Sequence, residues 1–168
     1  GRSGYFYAYQ MSGVAPDILA SAKALGGGFP MGACLATAEA CRCMVPGTHG
    51  STFGGNPLAM TVANAVLDEV LNVELLQHVT EMGEYLRDQL QVLILDFPNV
   101  FKKVSGAGLM VGVECIPENL EMLGKMRERY FLVGRAGNNS MRFLPPLIVN
   151  RDQIDLMIEA LASVASEY

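Results

Sequence analysis

The chain has 168 residues, 51% of them hydrophobic and 17% charged, with a net charge of −5 at pH 7, a length that carries one domain or two small ones around a buried core. With no run of Lys or Arg longer than Lys102-Lys103 there is no field to draw in a nucleic-acid backbone. No apolar run approaches the ~20 residues of a bilayer span, so neither nucleic acid nor membrane is expected as a partner and a soluble, cytoplasmic protein is.

The start, Gly1-Arg2-Ser3-Gly4, has neither an initiator methionine nor a charged, cleavable leader, and reads as the middle of something longer. Ile18-Leu19-Ala20 predicts a short strand that runs into the Gly26-Gly27-Gly28 loop, with Lys23 where strand meets loop. Met31 to Thr37 reads as a second, buried strand. The segment from Val45 to Pro57, dense in Gly and Pro, is the kind of loop in which binding residues lie. Asn56-Pro57 is a helix start, Asn at the N-cap and Pro at the first helical position. Leu58, Val62, Ala65, Val66 and Val70 follow at helical spacing. A second helix, from about Glu74 to Phe97-Pro98, carries Leu75, Val79, Met82, Leu86, Leu90 and Leu93 on one stripe.

A smaller α/β pattern comes next. Strands are expected over Val100–Val104 and Leu109–Cys115, around a tight turn at Gly106-Ala107-Gly108. A helix is expected from about Glu118 to Tyr130, and further strands over Phe131–Val133 and Met141–Leu144. Asn150 and Gln153 have capping-box spacing ahead of a last helix faced by Ile154, Met157, Ile158, Leu161 and Val164. The division between units is expected near Leu71, giving 1–71 and 72–168.

Chemistry concentrates at few positions. Cys41 and Cys43 are closer than the usual zinc-ligand pair, and only His49 and His78 accompany the four cysteines, so reduced structural thiols and no metal site are expected. A lysine with an unperturbed pKa of ~10.4 is charged at pH 7; around Lys23, alanines and glycines are expected to desolvate the ammonium, favouring the neutral nucleophile that Schiff-base chemistry with an aldehyde cofactor needs. The competing reading is an ordinary surface lysine beside a flexible loop. Ser51 and Thr52, adjacent hydroxyls among glycines before a helix, suit a phosphate or simply cap the loop. Arg142 lies in an apolar strand and is expected to require an anion, either a structural carboxylate or a bound one.

In order and spacing, "GRSG", "GVAPDILASAKALGGGFPMGACLAT", "GTHGSTFGGNPLAMTVANAVLDEVL", "GAGLMVGVE" and "MRFLPPLIV" resemble the C-terminal part of the acetylornithine/ornithine aminotransferases, class III and fold type I, over essentially the whole chain. The resemblance implies an α/β fold with the end of the large cofactor-binding domain in 1–71 and the small domain in 72–168. It implies pyridoxal 5'-phosphate as cofactor and a homodimer. The implied reaction is transfer of the δ-amino group of N2-acetylornithine to 2-oxoglutarate in arginine biosynthesis; relatives acting on ornithine, succinylornithine or 4-aminobutyrate are the alternatives. Lys23 matches the lysine that binds the cofactor covalently and moves the substrate proton. Thr52 matches a threonine that binds the cofactor phosphate across the dimer, Ser51 a neighbouring substrate contact, and Arg142 an arginine associated with substrate carboxylates. The family's phosphate cup, ring-stacking aromatic and pyridinium-pairing aspartate lie upstream of "GRSG". The chain alone is therefore expected not to be a competent aminotransferase, the other possibility being a truncated, non-catalytic product.

Overall fold

Ile18–Ala22 forms strand β1, and Gly32–Ala36 forms β2, antiparallel to it with Ile18 opposite Ala36 and Ala22 opposite Gly32, in the computed structural model, which describes residues 1–168. Between them Lys23–Gly26 makes a single 3₁₀ turn. Helix α1, Pro57–Val70, starts as its sequence requires: the Asn56 side chain accepts from Ala59 N at 2.9 Å, with Pro57 at the first position. Together with a short 3₁₀ helix over Ala8–Met11, these elements form one compact unit, Ala8–Asn72.

Two expectations for this unit are corrected. Strand β2 is exposed along its whole length, not buried, because α1 packs against the 3₁₀ turn rather than over the two-stranded ladder. The buried positions of α1 are Ala59 and Ala63, while Leu58 is 61% exposed. The packed face is thus turned from the predicted stripe, toward small residues that admit close approach.

The second unit comprises Val73–Tyr168 and Gly1–Tyr7. Helix α2, Val73–Asp96, buries Val79, Met82, Leu86, Leu90 and Leu93 of the predicted stripe, with Leu75 half-buried at its start. The hairpin of β3, Phe101–Ala107, and β4, Met110–Cys115, turns at Gly108-Leu109. Helix α3, Asn119–Glu128, follows, then β5, Gly134–Ala136, β6, Ser140–Phe143, and α4, Arg151–Ala165. The four strands form one antiparallel sheet in the order β3-β4-β6-β5. Val111, Val113, Cys115, Met141 and Phe143 project from one face into a single core with α2, α3 and α4. Each fully buried Leu there contributes about 1.5–3 kcal/mol relative to exposure. The capping box of α4 forms in both directions, Asn150 accepting from Gln153 N and Gln153 Oε1 from Asn150 N.

Phe131–Val133 is not a strand; β5 lies just after it. Phe131 and Val133 pack on the core from an irregular segment, and pairing with β6 makes a strand of Gly134-Arg135-Ala136, which has little strand propensity of its own. The buried Asn119 fixes the β5–β6 hairpin to the start of α3, its Nδ2 donating to Ser140 O at 2.9 Å, while Asn139 Oδ1 accepts from Asn119 N at 2.9 Å.

Gly1–Tyr7, grouped with the first unit in the sequence reading, packs instead on the second. The Arg2 guanidinium donates to Leu109 O at 3.2 Å and to Pro145 O, and Leu109 N returns a bond to Arg2 O at 3.0 Å. Three backbone segments meet here: a Cβ on Gly83 would stand 2.4 Å from Gly108 O, and one on Gly108, whose φ is +51°, would stand 2.5 Å from Arg2 O. Only glycine permits that approach.

Candidate active site

Strand β1 ends at Ala22 with extended backbone, and Lys23 then takes a φ of 56°, one of four non-glycine residues in the left-handed region. That geometry costs on the order of 1–3 kcal/mol for a side-chain-bearing residue, and such outliers gather at functional sites. The turn closes through Gly27 N to Ala24 O at 3.1 Å. Gly27 has a φ of +56°, and a Cβ there would stand 2.8 Å from Val66 Cγ2 of α1. The turn is therefore pressed onto the helix at a position where any side chain would push it away, and this anchors the backbone on which Lys23 stands.

The Lys23 side chain is exposed and makes no ion pair or hydrogen bond. The expected desolvation by neighbouring alanines and glycines is thus not supplied within the chain: Ala22, Ala24, Gly27 and Gly28 are exposed too, and residues this small bury only their own backbone.

Ser51 and Thr52 occupy the loop before α1, closed by Gly54 N to Ser51 O at 3.4 Å and by Asn56 Nδ2 to Phe53 O at 2.8 Å. Asn56 thus caps the helix with one end of its amide and ties the loop with the other. Both hydroxyls are exposed and unpaired, and a Cβ at Gly50 or Gly55 would meet nothing within 4 Å. The loop consequently offers hydroxyl donors, backbone N–H groups and open space to an anion. No hydrogen bond joins Lys23 to Ser51 or Thr52.

Arg142 lies in the other unit, on β6, between Gly112 of β4 and Gly134 of β5 in register. It points away from the core, with Met141 and Phe143 buried on either side of it. The expectation that Arg142 requires an anion because its strand is apolar is corrected: strand alternation puts it on the open face, where water can solvate it. It has no carboxylate partner within the chain.

A profile of the family described as "Aminotransferase class-III" matches residues 1–165. The chain belongs to the class-III aminotransferases. It is 48% identical over 154 residues to the acetylornithine aminotransferase of Mesorhizobium japonicum, an alignment that covers 92% of this chain and 39% of that enzyme. It is 44% identical over 164 residues to the acetylornithine aminotransferase of Aquifex aeolicus, covering 98% of this chain and 42% of that one. The crystal structure of the acetylornithine aminotransferase from Elizabethkingia anophelis superposes with a TM-score of 0.90 at 32% identity, covering 99% of this chain and 43% of that chain. The chain thus spans about two-fifths of the length of these class-III relatives, and its fold is their α/β fold type I.

Sequence reasoning missed two things. The left-handed backbone of Lys23 has no signal in residue type, since lysine does not favour it. The clearing of both cross-strand neighbours of Arg142 was legible only once register was known, because Gly112 and Gly134 are far apart in sequence.

Proposed function

We propose that this chain is the lysine-bearing part of a pyridoxal-phosphate-dependent aminotransferase that transfers the δ-amino group of N2-acetylornithine to 2-oxoglutarate, in arginine biosynthesis, as a cytoplasmic homodimer. The observation that carries this reading is Lys23 itself: an unpaired amine on a strained residue at the end of a strand, its turn held to α1 by Gly27. Residues 8–72 are read as part of the large cofactor-binding domain and 73–168 as the small domain. That no helix is long and apolar enough to cross a membrane agrees with a site open to solutes in water.

The residues present suit the cofactor's two polar ends. Lys23 Nζ has the nucleophile for an aldehyde, and Thr52 the hydroxyl, in an open glycine loop, for a phosphate oxygen. When bound, pyridoxal phosphate supplies the electron-withdrawing ring that amino transfer requires. In its neutral form, Lys23 Nζ would take the proton from the substrate carbon bearing the amino group and hold it for return, one amine serving as both base and acid. Thr52 would hold a cofactor phosphate across the dimer, its hydroxyl restricting how that cofactor moves. Ser51 contacts the amino donor beside it. Arg142, an always-charged planar donor without an internal partner, receives a substrate carboxylate in bidentate geometry. Large apolar side chains left open around this chemistry, Phe53 at 81% and Ile18 at 61% exposed, support a covered, dimeric setting for it.

A second reading keeps the mechanism and changes the donor. The ornithine aminotransferase from Plasmodium yoelii superposes with a TM-score of 0.91 at 28% identity over 99% of this chain and 45% of that one, so ornithine is the competitor. In the complete protein, Lys23→Ala is expected to reduce turnover below about a thousandth of the parent; undiminished turnover would sink the mechanism. Comparing kcat/KM for N2-acetylornithine and ornithine decides the donor.

A further inference from the structure

The strain at Lys23 is held from both sides. Ahead of it, the β1–β2 ladder ends at the pair Ala22–Gly32, and the backbone passes from extended at Ala22 to left-handed at Lys23. Behind it, two bare glycines are seated against side chains. Gly26 is buried, and a side-chain carbon there would stand 2.9 Å from Met31 Cγ. At Gly27 the corresponding carbon would meet Val66 Cγ2 at 2.8 Å. Val66 continues the helical stripe of Ala59 and Ala63, the buried positions of α1. Those two side chains end at Cβ, whereas Val66 extends one atom further, into the place where a side chain on Gly27 would begin. Val62 and Val70 on the same helix are half-buried like Val66, but neither stands against Gly27.

Resting on the reading of Lys23 as the cofactor-binding lysine, we propose that Val66 is a positioning residue for it. The Val66 methyl and the bare Gly27 interlock, and the interlock keeps the turn seated on α1 in the geometry that presents the Lys23 amine to pyridoxal phosphate. A left-handed lysine persists only where its surroundings over-determine it. Only Ala24, Leu25 and Gly26 separate Lys23 from Gly27, and the bond from Gly27 N to Ala24 O at 3.1 Å stiffens that path. A displacement at Gly27 therefore reaches Lys23 with little chain to absorb it. Without the Val66 methyl the turn is free to lift from α1, Lys23 relaxes toward ordinary backbone angles, and the amine is no longer held ready for the cofactor.

The test titrates the complete, cofactor-free protein with pyridoxal phosphate, reading the Kd and, after borohydride reduction, the label at Lys23. Lys23 Nζ condenses with the aldehyde with loss of one water, and hydride from borohydride saturates the carbon–nitrogen double bond, so the label reports the amine itself. Val66→Ala is expected to raise the Kd about tenfold, the order of the strain that the seat holds, and to lower the label at limiting cofactor. Val66→Thr, which keeps the branched shape, and Val70→Ala, a half-buried valine away from Gly27, are each expected to stay within about twofold of the parent. Gly27→Ala is expected to cost about tenfold as well, and the double variant Gly27→Ala/Val66→Ala to stay near that value instead of multiplying to about a hundredfold, because removing the methyl makes room for the new carbon. A Kd that Val66→Ala does not move, an equal loss in Val66→Thr or Val70→Ala, or losses that multiply in the double variant overturns the proposal. Should Gly27→Ala not fold, the variants at Val66 and Val70 decide it. Lys23→Ala separates this from the reading beneath it. If the Kd rises in Lys23→Ala but not in Val66→Ala, the positioning role alone fails; if Lys23→Ala leaves the Kd unchanged, both fail.

Discussion

The two units are built from similar elements but handle their apolar residues in opposite ways. In the second, Val79, Leu90, Leu109, Met122, Met126 and Leu161 are fully buried in one continuous core. In the first, only Ala59, Ala63 and Gly26 are buried, and Ile18, Leu35, Phe53 and Leu58 stand more than half exposed. One unit satisfies its own hydrophobic surface and the other presents it. Lys23, Ser51 and Thr52 all lie in the presenting unit, so the candidate chemistry sits where the chain's own packing is thinnest, and where strain at Lys23 must be held by a few local contacts such as Gly27 on Val66.

Replacing one large apolar residue in each unit tests this contrast most strongly. Leu90→Ala is expected to cost about 2–5 kcal/mol, because it opens a cavity in a closed core. Leu35→Ala, on the exposed strand β2, is expected to stay within about 0.5 kcal/mol. Chemical denaturation of the 168-residue chain reads both, and equal costs would erase the distinction between the units.

Thiol labelling sharpens the same comparison with a smaller perturbation. Burial pushes the Cys115 thiol up to about 11, and its Sγ donates to Val113 O at 3.6 Å. Cys34 and Cys43 are exposed. At pH 8 a thiol reagent is expected to modify Cys34 and Cys43 while sparing Cys115, whose thiolate is scarce as well as shielded. Cys115 labelling should rise only as pH approaches 11 or as the core unfolds. Modification of Cys115 at the rate of Cys34 would mean the core is open.

What the sequence disclosed, and what it hid, divides along the same line. Signals that act within a few residues were legible. Asn56-Pro57 and the Asn150–Gln153 box gave helix starts that the structure repeats to the residue, and the α2 stripe named its buried face. Signals that depend on a covering layer were not. Met31–Thr37 reads as buried because its residues are small and apolar, yet nothing in its unit packs over β2. Alanines and glycines around Lys23 suggested desolvation, but small residues shield an amine only when other side chains close over them. Phe131–Val133 looked like a strand by composition, whereas the ladder formed one step later, where β6 supplied the partner. Arg142 was found as a residue, but its open face follows from sheet register, which local sequence does not specify. The family was legible for a different reason: its motifs follow one another in order along the chain.

The central claim is that Lys23 is the residue that takes the cofactor, and the most direct measurement is to incubate the complete protein with pyridoxal phosphate, reduce with borohydride and map the modified peptide by mass spectrometry. The account predicts a single modified site at Lys23, with Lys102, Lys103 and Lys125 unmodified; label spread over those lysines, or absent from Lys23, would contradict it.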